Sequence, residues 1–139
     1  MSPPPGGHAP LKRTRESDKR LKRLLEICGT LPEIVTEVVG TAGDHLALRI
    51  RKKIFAYYLF NHHGDGRVAL CCKAAPGELG RLVSEDPLRF FVPPYLGPKG
   101  WVGVRLDLST VAWGEIGYLV EVAYRLSAPK TLVARLEKR

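Results

Sequence analysis

The chain has 139 residues and a mass of 15.4 kDa, 45% of them apolar and 26% charged, the size and make-up of one ordinary domain. A chain this long buries about two-thirds of the surface its unfolded form exposes, which excludes a disulfide mini-protein, a collagen-like chain and a wholly disordered one. Twenty-two Lys and Arg against fourteen Asp and Glu leave a net charge of +8 and a pI near 9.7, which fits an anionic partner and plain solubility equally.

Pro3, Pro4, Pro5, Gly6, Gly7 and Pro10 make a start that neither packs nor holds helix, and disorder is expected over residues 1–16. It lacks the apolar core of a signal peptide. One domain is expected over residues 17–139. Lys12, Arg13, Arg15, Lys19, Arg20, Lys22 and Arg23 face only Glu16 and Asp18 in residues 1–23. Most of the excess charge therefore sits at one end, the footprint of a polyanion partner, either nucleic acid or an anionic membrane surface. Leu21, Leu24, Leu25 and Cys28 recur at i, i+3, i+4 and i+7, the stripe of an amphipathic helix, with Ser17 as its expected cap and Gly29 as its stop.

From Val35 the period becomes two. Leu46, Leu48 and Ile50 alternate with Ala47, Arg49 and Arg51, a half-buried strand. Ile54 to Phe60 and Val68 to Cys72 read as two more strands, joined as a hairpin by Asn61, Gly64, Asp65 and Gly66. Pro76, Leu79, Leu82 and Val83 mark a second helix that Asp86-Pro87 closes. Arg89 to Val92 is a short strand, and Val102, Val104, Leu106 and Leu108 give the clearest alternation in the chain. Ser109 or Thr110 is the expected cap of a long helix with Trp113, Ile116, Gly117, Val120 and Tyr124 on one face. Ser127 is the expected cap of a final turn through Pro129 to Leu136. The pattern is α+β: a two-layer fold with an antiparallel sheet, helices on one face and the order α-β-β-β-α-β-β-α.

Chemistry has few footholds. Cys28, Cys71 and Cys72 are an odd set, and adjacent strand residues point to opposite faces, so Cys71 and Cys72 do not share one metal ion. Neither CxxC nor HxxxH spacing occurs near His62-His63. No metal, no cofactor and no disulfide framework are expected, and a reducing cytoplasm is the expected compartment. Nucleophile elbow, dinucleotide fingerprint and P-loop are all absent from the sequence, and no acidic pair stands out for acid–base work, so no enzyme is expected. The longest uncharged apolar run, Ile54 to Phe60, is too short to cross the roughly 30 Å hydrocarbon layer, so no membrane partner is expected either. The sequence does not set the oligomeric state; a monomer is the simpler expectation.

Two segments suit a polyanion. In Pro94-Tyr95-Leu96-Gly97-Pro98-Lys99-Gly100-Trp101, Lys99 and the backbone suit phosphate contact and Tyr95 or Trp101 suits base stacking. The alternative is a loop in which both rings cover the edge of the core. Arg49, Arg51, Lys52 and Lys53 either touch phosphates or protect a strand edge and turn.

Read in order, Leu31-Pro32, RKKIFA at 51–56, PYLGPKGWVGV at 94–104, YRLSAPK at 124–130 and the following Leu132 resemble the MmcQ/YjbR family of small bacterial proteins over roughly residues 17–136. The resemblance implies helix, three strands, helix, two strands, helix, an arrangement compared with the frataxin-like CyaY fold and with secretion chaperones. It also implies DNA binding through a double wing. On this reading DNA is the partner and Arg51, Lys52, Lys53, Tyr95, Lys99, Trp101, Arg125 and Lys130 contact it. The alternative is a domain that binds a small anion or a peptide. The basic Pro-rich extension lies outside the family pattern, and Pro98 stands where a polar residue is expected before Lys-Gly-Trp.

Overall fold

A computed structural model describes residues 11–138. The elements run α1 (Arg15–Cys28), β1 (Ile34–Val39), β2 (His45–Ile50), β3 (Lys53–Phe60), β4 (Val68–Cys72), α2 (Glu78–Glu85), β5 (Phe90–Phe91), β6 (Val102–Arg105), α3 (Trp113–Ser127) and α4 (Lys130–Glu137). The strands form one antiparallel sheet in the order β1-β2-β3-β4-β6-β5. The fold is α+β, as its sequence pattern implies. It extends the expected order by two elements. Residues 34–39 pair along β2 as an edge strand, with Val35 and Val38 exposed. Pro129 cannot continue α3, so α4 follows as a separate helix.

Local chemistry sets the helix ends, not always as expected. Thr14, not Ser17, caps α1. The Ser17 N–H donates to Thr14 Oγ1 at 3.0 Å and the Thr14 N–H donates to Ser17 Oγ at 2.9 Å. This reciprocal pair satisfies two otherwise unbonded donors. The helix thereby takes in Arg15 and Glu16, which sequence assigns to the tail; the tail's residues 1–10 lie outside the described residues. Leu24 and Cys28 of the stripe are buried, and Gly29 ends the helix by donating to Leu25 O at 2.9 Å. Ser109 and Thr110 do not cap α3. Arg20 of α1 donates to the carbonyls of Leu106, at 2.7 Å, Leu108 and Ser109, which holds that stretch against α1 and lets α3 start only after Ala112. Ser127 is the last residue of α3, its hydroxyl buried without a partner, and Pro129 takes the cap position of α4.

One face of the sheet carries the core. Leu48, Ile50, Tyr58, Leu70, Cys72, Val102 and Val104 pack with Ile116, Val120 and Tyr124 of α3 and Leu24 of α1. A β-bulge shapes this face. Leu48 pairs with Ala56 but Arg49 pairs with Ile54, so Phe55 is an extra residue in β3. Phe55 and Ala56 consequently both reach the core, and the Phe55 ring meets Tyr124 edge-on at 5.9 Å. The other face is not left to water. Every residue of β4 is buried. Tyr57 and Trp101 lie with ring centroids 5.8 Å apart. The Phe91 ring covers Gly103, where a Cβ would stand 2.4 Å from Phe91 Cζ. Pro93 and Gly97 bring the 92–100 loop down over this side as a partial third layer.

Candidate nucleic-acid interface

The residues singled out by sequence fall into three places. Arg51, Lys52 and Lys53 form the β2–β3 turn, where Arg51 takes a left-handed backbone with φ 54°. Its guanidinium grips Glu33 at 2.9 and 3.2 Å, and Arg135 of α4 reaches the same carboxylate at 3.1 Å. Lys52 and Lys53 are exposed and make no ion pair among the described residues. The Lys99 loop belongs to the side of the sheet away from the helices. There Tyr95 is 81% exposed, with φ 65° and its ring 6.4 Å from His63, and Lys99 is exposed at the end of a short 3-10 turn. Trp101 is only 5% exposed, because Gly100 with φ 83° turns the chain down onto Tyr57. The two rings of this loop thus divide, one outward and one into the core. Arg125 and Lys130 belong to the helical layer. Arg125 is held by Glu137 at 2.8 Å and more loosely by Glu121 at 3.8 Å, whereas Lys130 is exposed and makes no ion pair among the described residues. The first and third groups are linked through α4, by Arg135 on Glu33 and Glu137 on Arg125, while the Trp101 ring of the second is buried.

A different concentration of charge appears at α1. Lys19, Lys22 and Arg23 share one helical face, at spacings of three and four residues. They line a groove of about 600 Å³ whose far wall is Ser109, Thr110 and the half-buried indole of Trp113. Lys12, Arg15, Lys19 and Lys22 make no ion pair among the described residues. Arg23 meets Glu26 at 3.6 Å, and Arg13 is spent on Asp18 at 2.8 Å. Arg20, which sequence counts with the basic run, is a structural clamp: beside its three carbonyls it meets Glu16 at 3.0 Å. The basic run itself was visible in the sequence. Its opposite wall, some ninety residues further along the chain, was not.

The remaining polar clusters are closed on themselves. Between α2 and α3, a cavity of about 210 Å³ is ringed by charge. Arg89 binds Asp86 at 2.7 Å and Glu115 at 3.0 Å, and Arg81 binds Glu78 at 2.7 Å and Glu85 at 2.9 Å. Neither this cavity nor the α1 groove takes in Tyr95, Lys99 or Trp101. At the β3–β4 turn, His45 Nδ1 accepts the Phe60 N–H at 3.0 Å, and the His62 ring stands 5.3 Å from His45 and 3.9 Å from His63. Burial lowers the pKa of His45 and of His62, which disfavours the charged form of both rings. Among the described residues no group of three or more His, Cys, Asp or Glu is arranged to hold a metal ion. Cys28, Cys71 and Cys72 are buried thiols; burial pushes Cys28 and Cys71 up to about 12 and raises Cys72 as well, so none is a thiolate at neutral pH. No helix among the described residues is long and apolar enough to cross a membrane.

Comparison with known proteins adds the following. The model of the YjbR family matches residues 29–126, which leaves α1 and α4 outside the match. A crystal structure of Deinococcus radiodurans protein DR2400, a DUF419 domain, superposes with a TM-score of 0.63 over 76% of each chain at 22% identity. At that identity the likeness shows the fold alone. No curated protein matches the chain.

Proposed function

The chain belongs to the YjbR family, and from that premise we propose that it is a non-enzymatic nucleic-acid-binding module, with DNA as its target and phosphates as its main contacts. One observation carries the reading: Lys12, Arg15, Lys19 and Lys22, none in an ion pair among the described residues, gather on one helix and its approach, whereas the other lysines without an ion pair are spread along the chain and most arginines elsewhere are engaged by carboxylates. An unpaired ammonium releases counterions when it meets a phosphate; an arginine already bound to Glu or Asp must first give up its partner. Lys99 on its exposed loop and Lys52 and Lys53 at the sheet end add outlying contacts. Nothing in this set reads base edges, so affinity exceeds sequence preference.

Binding of a 20-base-pair duplex, measured across a salt series, tests the proposal. Several phosphate contacts give a log K against log [salt] slope of several units. Changing Lys19 and Lys22 together to Ala makes the slope shallower by about 1.8. A flat salt dependence would sink the proposal. A second reading, a small-anion site, draws on the concavity of the α1 groove. It is favoured if inorganic phosphate competes at concentrations that leave the ionic strength unchanged.

A further inference from the structure

The α1 groove has a shape that phosphate contact alone does not require. Its volume of about 600 Å³ falls among clefts that hold small ligands. A single nucleotide is of a size that such a cleft holds. Its lining divides by chemistry. Lys19, Lys22 and Arg23 supply cations along one rim. Trp113 supplies a flat apolar surface, part of its ring packed against the core and part open. The hydroxyls of Ser109 and Thr110 are exposed and bonded to no described residue. The Glu16 and Glu26 carboxylates also line the groove, but Glu16 is neutralised by Arg20 and Glu26 faces Arg23. The walls are held together by Arg20, whose guanidinium joins α1 to the chain at Leu106, Leu108 and Ser109. The groove is therefore preformed.

We propose that this groove seats one unpaired nucleotide, its base stacked on Trp113 and its phosphate held by Lys19 and Lys22. The inference rests on the nucleic-acid reading above and makes it specific. The preferred form is a single strand or a frayed end, because a base inside a duplex cannot reach an indole in a cleft. The hydroxyls at 109 and 110 complete the seat by bonding the sugar or the base edge.

Tryptophan emission tests this in the unmodified protein, because the other indole, Trp101, is buried against Tyr57 and serves as an internal reference. The protein is titrated with a ten-residue oligothymidylate, a blunt duplex of matched charge, and adenosine monophosphate. The expected result is strong quenching by the oligothymidylate and little by the duplex. Quenching by the mononucleotide as well also supports the seat and identifies free nucleotide as a second source of its occupant. Trp113→Leu then removes the quenching and lowers oligothymidylate affinity about tenfold. Lys22→Glu, at an exposed position where folding is not at stake, lowers it by a similar factor. Equal quenching by duplex and single strand, or single-strand binding with no change in emission, overturns the seat and leaves phosphate binding standing. Failure of every nucleic acid to bind at low salt overturns both.

Discussion

Two basic regions of this molecule use the same residue types to different ends. At the sheet end, Arg51 of the β2–β3 turn and Arg135 of α4 converge on the single carboxylate of Glu33, with Lys52 and Lys53 exposed beside Arg51. At α1, Lys19 and Lys22 make no ion pair among the described residues and line a concave wall that faces an indole. Exposed ion pairs such as those on Glu33 contribute only about 0.2–1 kcal/mol each to stability. Their larger consequence is that they occupy guanidiniums that a net-charge count treats as available. What decides whether a cation can meet a ligand is the carboxylate nearest in space, and that carboxylate is often far away in sequence.

The contrast can be broken or sharpened in three ways. The largest effect is expected from Arg20→Ala, which leaves three carbonyls without their charged donor. It should cost about 2–3 kcal/mol of unfolding free energy by urea titration, and the α1 groove should lose its binding with it. Arg20→Lys should recover only part of this, since one ammonium cannot reproduce the fork. An unchanged urea midpoint in Arg20→Ala would show that α1 is not held by this clamp. Next, the Lys19→Ala, Lys22→Ala pair should lower duplex affinity at low salt at least tenfold, whereas Lys52→Ala with Lys53→Ala should lower it less than threefold. Equal losses in the two pairs would erase the distinction between groove and turn. Smaller still, Arg51→Ala should lower the unfolding free energy from urea titration by under about 0.5 kcal/mol, because Arg135 keeps Glu33 paired.

The smallest effect concerns pH and lies away from both regions. Burial lowers the pKa of His45 and His62, with Asp44 and Asp65 opposing and the neighbouring histidines reinforcing the shift. The unfolded chain therefore binds protons that the folded chain refuses. Stability should be level above about pH 6.5, the ordinary imidazole value, and fall as pH drops below it. His45→Gln, which keeps an acceptor for the Phe60 N–H, should flatten that fall. A urea midpoint that rises on acidification would contradict the assignment.

Much of the fold was legible because local rules set it. The Leu21–Cys28 stripe, the Asn61–Gly66 turn and the Asp86-Pro87 stop each act within a few residues. The family strings added the sheet-rich middle of the chain. What escaped depends on distance or on a count of one. Thr14 outcompetes Ser17 as a cap because the two hydroxyls satisfy each other's backbone, which residue type alone does not rank. Tyr95 and Trp101 are equally aromatic in sequence, yet the positive φ of Gly100 sends one of them inward. Arg51 and Arg135 look free because Glu33 stands 18 and 102 residues away.

The extra residue in β3 carries a consequence for length variation in this chain. Because Phe55 and Ala56 share a side, the strand keeps odd parity with β2 across that step. Dropping a single residue between Lys53 and Ala56 would close the bulge into a regular ladder, with whichever residue then precedes Ala56 opposite Arg49 and turned away from the core. The aromatic plug against Tyr124 would then be lost or expelled into solvent. Adding residues at Lys52, in the exposed turn, leaves that parity untouched, so the two neighbouring positions should differ sharply in their tolerance of one-codon changes.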